Sequence, residues 1–216
     1  MEEEIYEKEE KKRHQCIFIR GGEVFDSKEE FYTYLKKREY NPYKKRRSWT
    51  DWLEWSLSEK FDSFTPLMPN KQWADYEAWK IWFEKLFPYI NKDKDSKIIL
   101  IGQSIGATFL AKYLSENKFP KKIDQLYFIS LMFEDDGLVG EKIGSFKLNK
   151  DKLKNIEPQA RKVFVFHSKD DHLVPFYHAQ NFLKYLDKAK FYKFNKRGHF
   201  SQPAFMEILQ TINDNL

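Results

Sequence analysis

"KIILIGQSIGATFLAKYL", residues 97–114, decides the reading of the whole chain. An apolar run, Ile98 to Ile101, ends in Gly102-Gln103-Ser104-Ile105-Gly106 and passes without a loop into an amphipathic run. Read as strand, reversal and helix, the five residues fit the pattern Gly-x-Ser-x-Gly. A serine at so sharp a reversal sits in a strained backbone conformation. Residues two before and two after it approach its backbone closely, and glycine removes the clash. The result is a hydroxyl held out at a helix start, where backbone N–H groups favour developing negative charge. Composition alone gives such a match roughly 0.02 times in a chain of this length. A glycine-rich packing turn is therefore the weaker reading, and Ser104 is a candidate nucleophile.

Around this turn, apolar strand-like runs alternate with helical patterns. "CIFI" (16–19) reads as a buried strand ending at Gly21-Gly22. "SKEEFYTYLKKR" reads as a helix capped by Ser27 with Glu30 at the capping-box position and Phe31, Tyr34 and Leu35 on one face. The helix "SWTDWLEWSLSEK" puts Trp49, Trp52 and Trp55 on one side, read as core packing. "FDSF" is a strand that Pro66 and Pro69 end, and "QWADYEAWKIWFEKL" is a helix stopped near Pro88. Further strands are expected at 123–133, 162–168 and 190–195. Helices are expected from Pro175 and near the C-terminus, with a short one near 149–155. The pattern predicts an α/β fold: a three-layer α/β/α sandwich around a mostly parallel sheet of about six strands. Residues 1–15 read as a charged leader and 16–216 as one domain, with 134–160 a cap-like excursion over one end of the sheet.

Composition narrows the function classes. The 216 residues carry 41% hydrophobic and 33% charged side chains, which suits a folded chain with a sizeable core. The net charge of +5 is modest, with both signs mixed along the sequence, and does not argue for nucleic acid. A nucleic-acid or phosphate role for Lys44-Lys45-Arg46-Arg47 ranks last, since such a run is ordinarily a solvated face. One cysteine, Cys16, allows no internal disulfide and fits a cytoplasmic location. No apolar run of membrane-spanning length is present, so no membrane association is expected. The histidines and carboxylates show no metal-ligand spacing, and neither metal nor organic cofactor is expected.

A serine needs a base, and the base needs an orienting partner. Of His14, His167, His172, His178 and His199, only His199 follows the last expected strand in a loop, "NKRGHFSQP". "VFVFHSKDDHLVPF" places Asp170 and Asp171 directly after a strong strand. Either could serve as the acid, or as a loop or N-cap carboxylate. Strand ends gather at one edge of such a sheet. Ser104, an aspartate and His199 thus come to one edge in the order Ser…Asp…His.

At this point the sequence resembles the α/β-hydrolase superfamily. "HSKDDHLVP" is similar to its His-Gly-x-x-Asp-x-x-Val-Pro signature, with Ser168 in place of the glycine, and "RGHF" to its Gly-His-Phe. The compact size, "PLMPN", "YEAWKIWFEKL" and "GHFSQPAFMEIL" resemble the small serine hydrolases related to retinoblastoma-binding protein 9. The resemblance implies Asp171 as the acid and His199 as the base. It implies an oxyanion hole from the backbone N–H of Ile105 and one near Gly22 or Glu23. Many members of the family it resembles carry His-Gly where this chain has Arg20-Gly21, and the Glu23 carboxylate is expected to point outward. The function expected is hydrolysis of a small or medium acyl ester, thioester or activated amide through an acyl-enzyme. The alternative is a protein-binding module on the same scaffold with little turnover.

Overall fold

The computed structural model describes residues 13–43 and 48–216. The leader up to residue 12 and the basic run 44–47 lie outside the described residues. Six strands form one sheet: β1 (His14–Ile19), β2 (Phe61–Phe64), β3 (Ile98–Gln103), β4 (Ile123–Ile129), β5 (Ala160–Ser168) and β6 (Lys190–Phe194). Their order is β2-β1-β3-β4-β5-β6 and every neighbouring pair is parallel. β1 starts at His14, two residues earlier than the sequence pattern placed it, so the end of the expected leader belongs to the sheet.

The helices are α1 (Lys28–Lys37), α2 (Trp49–Leu57), α3 (Tyr76–Glu84), α4 (Ile105–Glu116), α5 (Tyr177–Leu183) and α6 (Met206–Asn213). Strand side chains alternate between two apolar layers, as the two-residue period requires. Ile17, Ile19, Ile98, Leu100, Leu126, Phe128, Val163 and Val165 face Trp79 and Phe83 of α3, Phe109 of α4 and Phe182 of α5. Cys16, Phe18, Ile99, Ile101, Tyr127, Ile129, Phe164 and Phe166 face Trp49 and Leu53 of α2 and Ile208 and Ile212 of α6. This is the three-layer α/β/α architecture. Among the described residues, no helix is long and apolar enough to cross a membrane.

Local signals act as their chemistry dictates. The Ser27 hydroxyl accepts from the Glu30 amide at 3.1 Å, and the Asp75 carboxylate from the Ala78 amide at 3.0 Å. The tryptophan reading of α2 is corrected. Trp49 is buried, but Trp55 is 76% exposed. Three-residue steps drift by about 60° each around a 3.6-residue helix, so the buried line is Trp49, Leu53 and Leu57.

Two features position the site. The chain leaves β1 for the edge strand β2, then crosses back to β3 on the other side of β1. The carboxyl ends of β1 and β3 therefore flank the crevice where strand order reverses. The excursion after β4 divides in two. Its second part, with short 3-10 turns at Gly144–Phe146, Lys150–Asn155 and Glu157–Gln159, buries Phe146, Leu153 and Ile156 in the core. The helix expected near 149–155 is the second of these turns.

Candidate active site

Ser104 sits between β3 and α4 at φ 56° and ψ −129°. A non-glycine residue there is strained and persists only when its surroundings over-determine it. The Ser104 amide donates to the Ile129 carbonyl at 2.9 Å, and its carbonyl accepts from Ala107 at 2.9 Å and Thr108 at 3.2 Å. A Cβ on Gly102 would lie 2.6 Å from the Ala107 Cα. One on Gly106 would lie 2.2 Å from the Ile19 carbonyl oxygen. The elbow is thus pressed against the end of β1. Gly21 runs beside the serine: a Cβ there would be 3.2 Å from the Ser104 Cβ and 3.7 Å from its Oγ. The amide of Ile105, the first helical residue, belongs to the helix N-terminus, where amides lack intrahelical partners.

His199 lies in a turn after β6 that is fastened from three sides. Gln103 Nε2, beside Ser104 in sequence, donates to the carbonyls of His199 at 3.0 Å and Phe200 at 3.2 Å. Trp49 Nε1 donates to the Phe200 carbonyl at 2.9 Å. The amides of Arg197 and Gly198 donate to Asp170 Oδ1 at 3.2 and 3.0 Å. Ser168 donates its hydroxyl to Asp170 and accepts from the Arg197 amide at 3.0 Å.

The two adjacent aspartates take different parts. Asp170 is exposed and holds the backbone of the histidine turn. Asp171 is buried and faces the imidazole, with His199 Nδ1 2.9 Å from Oδ2 and 3.1 Å from Oδ1. Its Oδ1 also accepts from the amides of Leu173 and Val174, both at 3.0 Å, and its Oδ2 from the Ser130 hydroxyl at 2.7 Å. Burial pushes this carboxyl upward. The bonds from His199, Val174 and Ser130 and the His199 charge outweigh it and hold the pKa at about 2. Asp171 is therefore ionised at neutral pH.

The other histidines are occupied elsewhere. His167 Nε2 lies 2.9 Å from the Val174 carbonyl, and burial lowers its pKa, keeping it neutral. His178 accepts from the Phe133 amide on Nδ1 at 3.1 Å, and its Nε2 meets the Asp136 carbonyl at 2.9 Å. His14 accepts from the Lys97 amide, and His172 is exposed.

The expectation for Glu23 needs correcting in one respect. Its carboxylate does turn outward, to the Tyr34 hydroxyl and Arg38 Nη1, each at 2.7 Å. Its amide, however, donates to the Lys71 carbonyl at 2.8 Å, while the Glu23 carbonyl accepts from Ala74. This ladder between 23 and 71–74 takes the Glu23 N–H away from an oxyanion. Gly22 stays a candidate, wedged so that a Cβ would meet the Lys71 carbonyl oxygen at 2.5 Å. Arg20 pairs with Asp51 of α2. Two participants escaped the sequence reading. Ser130, buried and at φ 46°, caps β4 with a side chain that carries no charge to draw notice. Ser168 was read only as a departure from a glycine.

A family model described as serine hydrolase matches residues 43–213. Serine hydrolase RBBP9 of Rattus norvegicus is 26% identical over 172 residues, covering 78% of this chain and 86% of that protein. The ydeN gene product of B. subtilis superposes with a TM-score of 0.68 at 16% identity, over 94% of this chain and 98% of that one. The esterase domain of a Rhodothermus marinus protein gives 0.60 at 13% identity, over 92% and 85%. The structural likenesses carry the α/β-hydrolase fold, and the family match carries the class of chemistry. The chain belongs to the serine hydrolase family.

Proposed function

We propose that Ser104 is the nucleophile, His199 the general base and Asp171 the orienting acid in hydrolysis of a small or medium acyl ester. The observation that carries this reading is the strained Ser104 elbow, tied through Gln103 to the turn whose imidazole rests on the Asp171 carboxylate. As Ser104 Oγ attacks the acyl carbon, its proton passes to His199 Nε2. Asp171 stabilises the imidazolium through Nδ1–H. The amide of Ile105, and from the loop after β1 that of Gly22, hold the oxyanion. The C–O bond to the leaving alcohol breaks as His199 returns the proton to that oxygen. Water then attacks the acyl-enzyme, giving its proton to His199, and the carboxylic acid leaves as Ser104 recovers its own. Thioesters and activated amides follow the same steps with another leaving atom.

Covalent labelling by a fluorophosphonate tests the reading. The wild-type chain should label, and Ser104→Ala and His199→Ala should each lower ester turnover by at least about 10³-fold and abolish labelling. A folded wild-type protein that neither labels nor turns over esters would overturn it and favour a protein-binding module.

A further inference from the structure

From the end of β4 into the first part of the excursion, residues 129–139 run past three parts of the proposed site. The Ile129 carbonyl accepts from the Ser104 amide at 2.9 Å, and the Ser130 hydroxyl donates to Asp171 Oδ2 at 2.7 Å. The Met132 amide donates at 3.2 Å to the hydroxyl of Thr108, about one helical turn beyond the nucleophile. Farther along, the Val139 amide donates to the Leu173 carbonyl at 3.1 Å, and the Leu173 amide donates to Asp171 Oδ1 at 3.0 Å. The segment thus reaches Asp171 twice, before and after the turn 133–136. That turn closes on the side chain of His178, in α5.

His178 is fully buried. Its Nδ1 faces the Phe133 amide at 3.1 Å and its Nε2 the Asp136 carbonyl at 2.9 Å. An amide N–H only donates and a carbonyl only accepts. Both ring nitrogens are therefore satisfied by one species, the neutral imidazole with its proton on Nε2. The Tyr177 ring stacks on this imidazole, with centroids 4.8 Å apart, and its hydroxyl donates to the Asp136 carboxylate at 2.8 Å. Gly137, at φ 67°, lies so close to the Tyr177 hydroxyl that no Cβ would fit there. A second proton, on Nδ1, would set two donors facing each other in a buried place. The Phe133 amide would lose its acceptor, and the turn would have to move.

We infer that His178 is a positioning residue for the proposed triad: as the neutral imidazole it fastens the turn 133–136 to α5, so that the segment holds Asp171 through Ser130 and Leu173, and on protonation it lets go. The inference rests on the hydrolase reading above. It has a pH signature. Burial lowers the His178 pKa from its ordinary 6.5, while the bond to the Asp136 carbonyl and the charges of Glu134, Asp136 and Asp171 oppose the shift. The other titratable groups facing it are Tyr177 on its own helix and His167 on β5, and Glu134 is paired with Lys150. A histidine whose pKa is lowered in the closed state stabilises that state fully above its open-state value. It loses that contribution as pH falls below it. The hold of His178 should therefore be complete above pH 6.5 and weaken below it.

Amide hydrogen exchange tests this without turnover. In the wild type, the protection factors of the Phe133 and Val139 amides should fall by up to about tenfold per pH unit below the open-state pKa. The amides of β3, which report global opening, should keep theirs. The side-chain amide of His178→Gln can accept from Phe133 and donate to Asp136 but takes up no proton, so that variant should lose the pH dependence. His178→Phe should expose both amides at every pH and lower kcat for a neutral ester by about tenfold, and His178→Gln should recover most of that loss. Wild-type protection at Phe133 and Val139 that stays constant with pH relative to β3 overturns the inference. So does a folded His178→Phe with the kcat of the wild type. Failure of the hydrolase reading shows separately, as ester turnover that survives in Ser104→Ala, and leaves the exchange result standing as the measure of the His178 contact.

Discussion

The side-chain amide of Gln103 donates to the backbone carbonyl of His199 at 3.0 Å. The residue next to the proposed nucleophile thus sets where the base begins. The second position of a Gly-x-Ser-x-Gly turn, the residue before the serine, is free to vary as far as the turn is concerned. Here it bridges two loops that are 96 residues apart. Gln103→Ala should lower kcat by about 10- to 100-fold while KM changes little. Gln103→Glu should be worse, because a carboxylate would face two carbonyl oxygens. Steady-state kinetics on one ester would show it, and equal changes in KM and kcat would argue against a positioning role.

The neighbouring aspartates predict different phenotypes. Asp171→Asn should lower kcat by about 10⁴-fold, because an amide in place of the carboxylate neither fixes the Nδ1–H tautomer nor stabilises the imidazolium. Asp170→Asn should leave most activity but lower the melting temperature, because it weakens the acceptor for the Arg197 and Gly198 amides. The reverse pattern, with Asp170 essential and Asp171 dispensable, would break the assignment.

Acid stability follows from the same carboxylate. The folded-state pKa of Asp171 is about 2, below its ordinary value of 3.8. A depressed carboxyl contributes stability above its unfolded pKa and loses it as pH falls through the folded one. The wild type should therefore lose stability between pH 4 and pH 2 more steeply than Asp171→Asn. Parallel denaturant curves for the two proteins over that window would rule the coupling out.

Ser130 supplies one of the bonds that keep Asp171 charged. Ser130→Ala should cost about 1–3 kcal/mol, since a buried carboxylate loses a donor. The acidic limb of the pH–rate profile should move upward. Ser130→Gly loses the same hydroxyl but relieves the φ of 46°, so it should be the more stable of the two variants. A pH profile identical to wild type in both would reduce Ser130 to a packing residue.

How far the sequence reaches is visible in these residues. The α/β alternation and the elbow were legible because each is local. β3 is a short apolar run, α4 a periodic one, and two glycines punctuate the turn between them. His199 was legible from its place after the last strand. The choice between Asp170 and Asp171 was not legible from the residues alone. One step along a loop decides which side chain meets the imidazole, and only the resemblance selected Asp171. The Glu23 amide was misjudged because its partner, the Lys71 carbonyl, comes from a distant loop without periodicity. Trp55 was misjudged because a three-residue spacing drifts around a helix.

The elbow glycines offer the most stringent test of the fold's role in the site. A Cβ on Gly106 would meet the carbonyl oxygens of Ile19 at 2.2 Å and Arg20 at 2.7 Å. Both are backbone atoms at the end of a central strand, so no rotamer change gives way. Either α4 lifts or the loop after β1 moves, and that loop carries Gly21 against Ser104 and Gly22, the proposed second oxyanion donor. Gly106→Ala should therefore lose about 3 kcal/mol and, in the folded fraction, turnover as well. Gly140→Ala provides the contrast. At φ 68° with nothing within 4 Å of the added Cβ, it bears only the left-handed backbone cost of about 1–2 kcal/mol. If Gly106→Ala proved no less stable than Gly140→Ala in urea unfolding, the close approach of the elbow to β1 would be wrong, and the assignment of Gly22 to the oxyanion hole would fall with it.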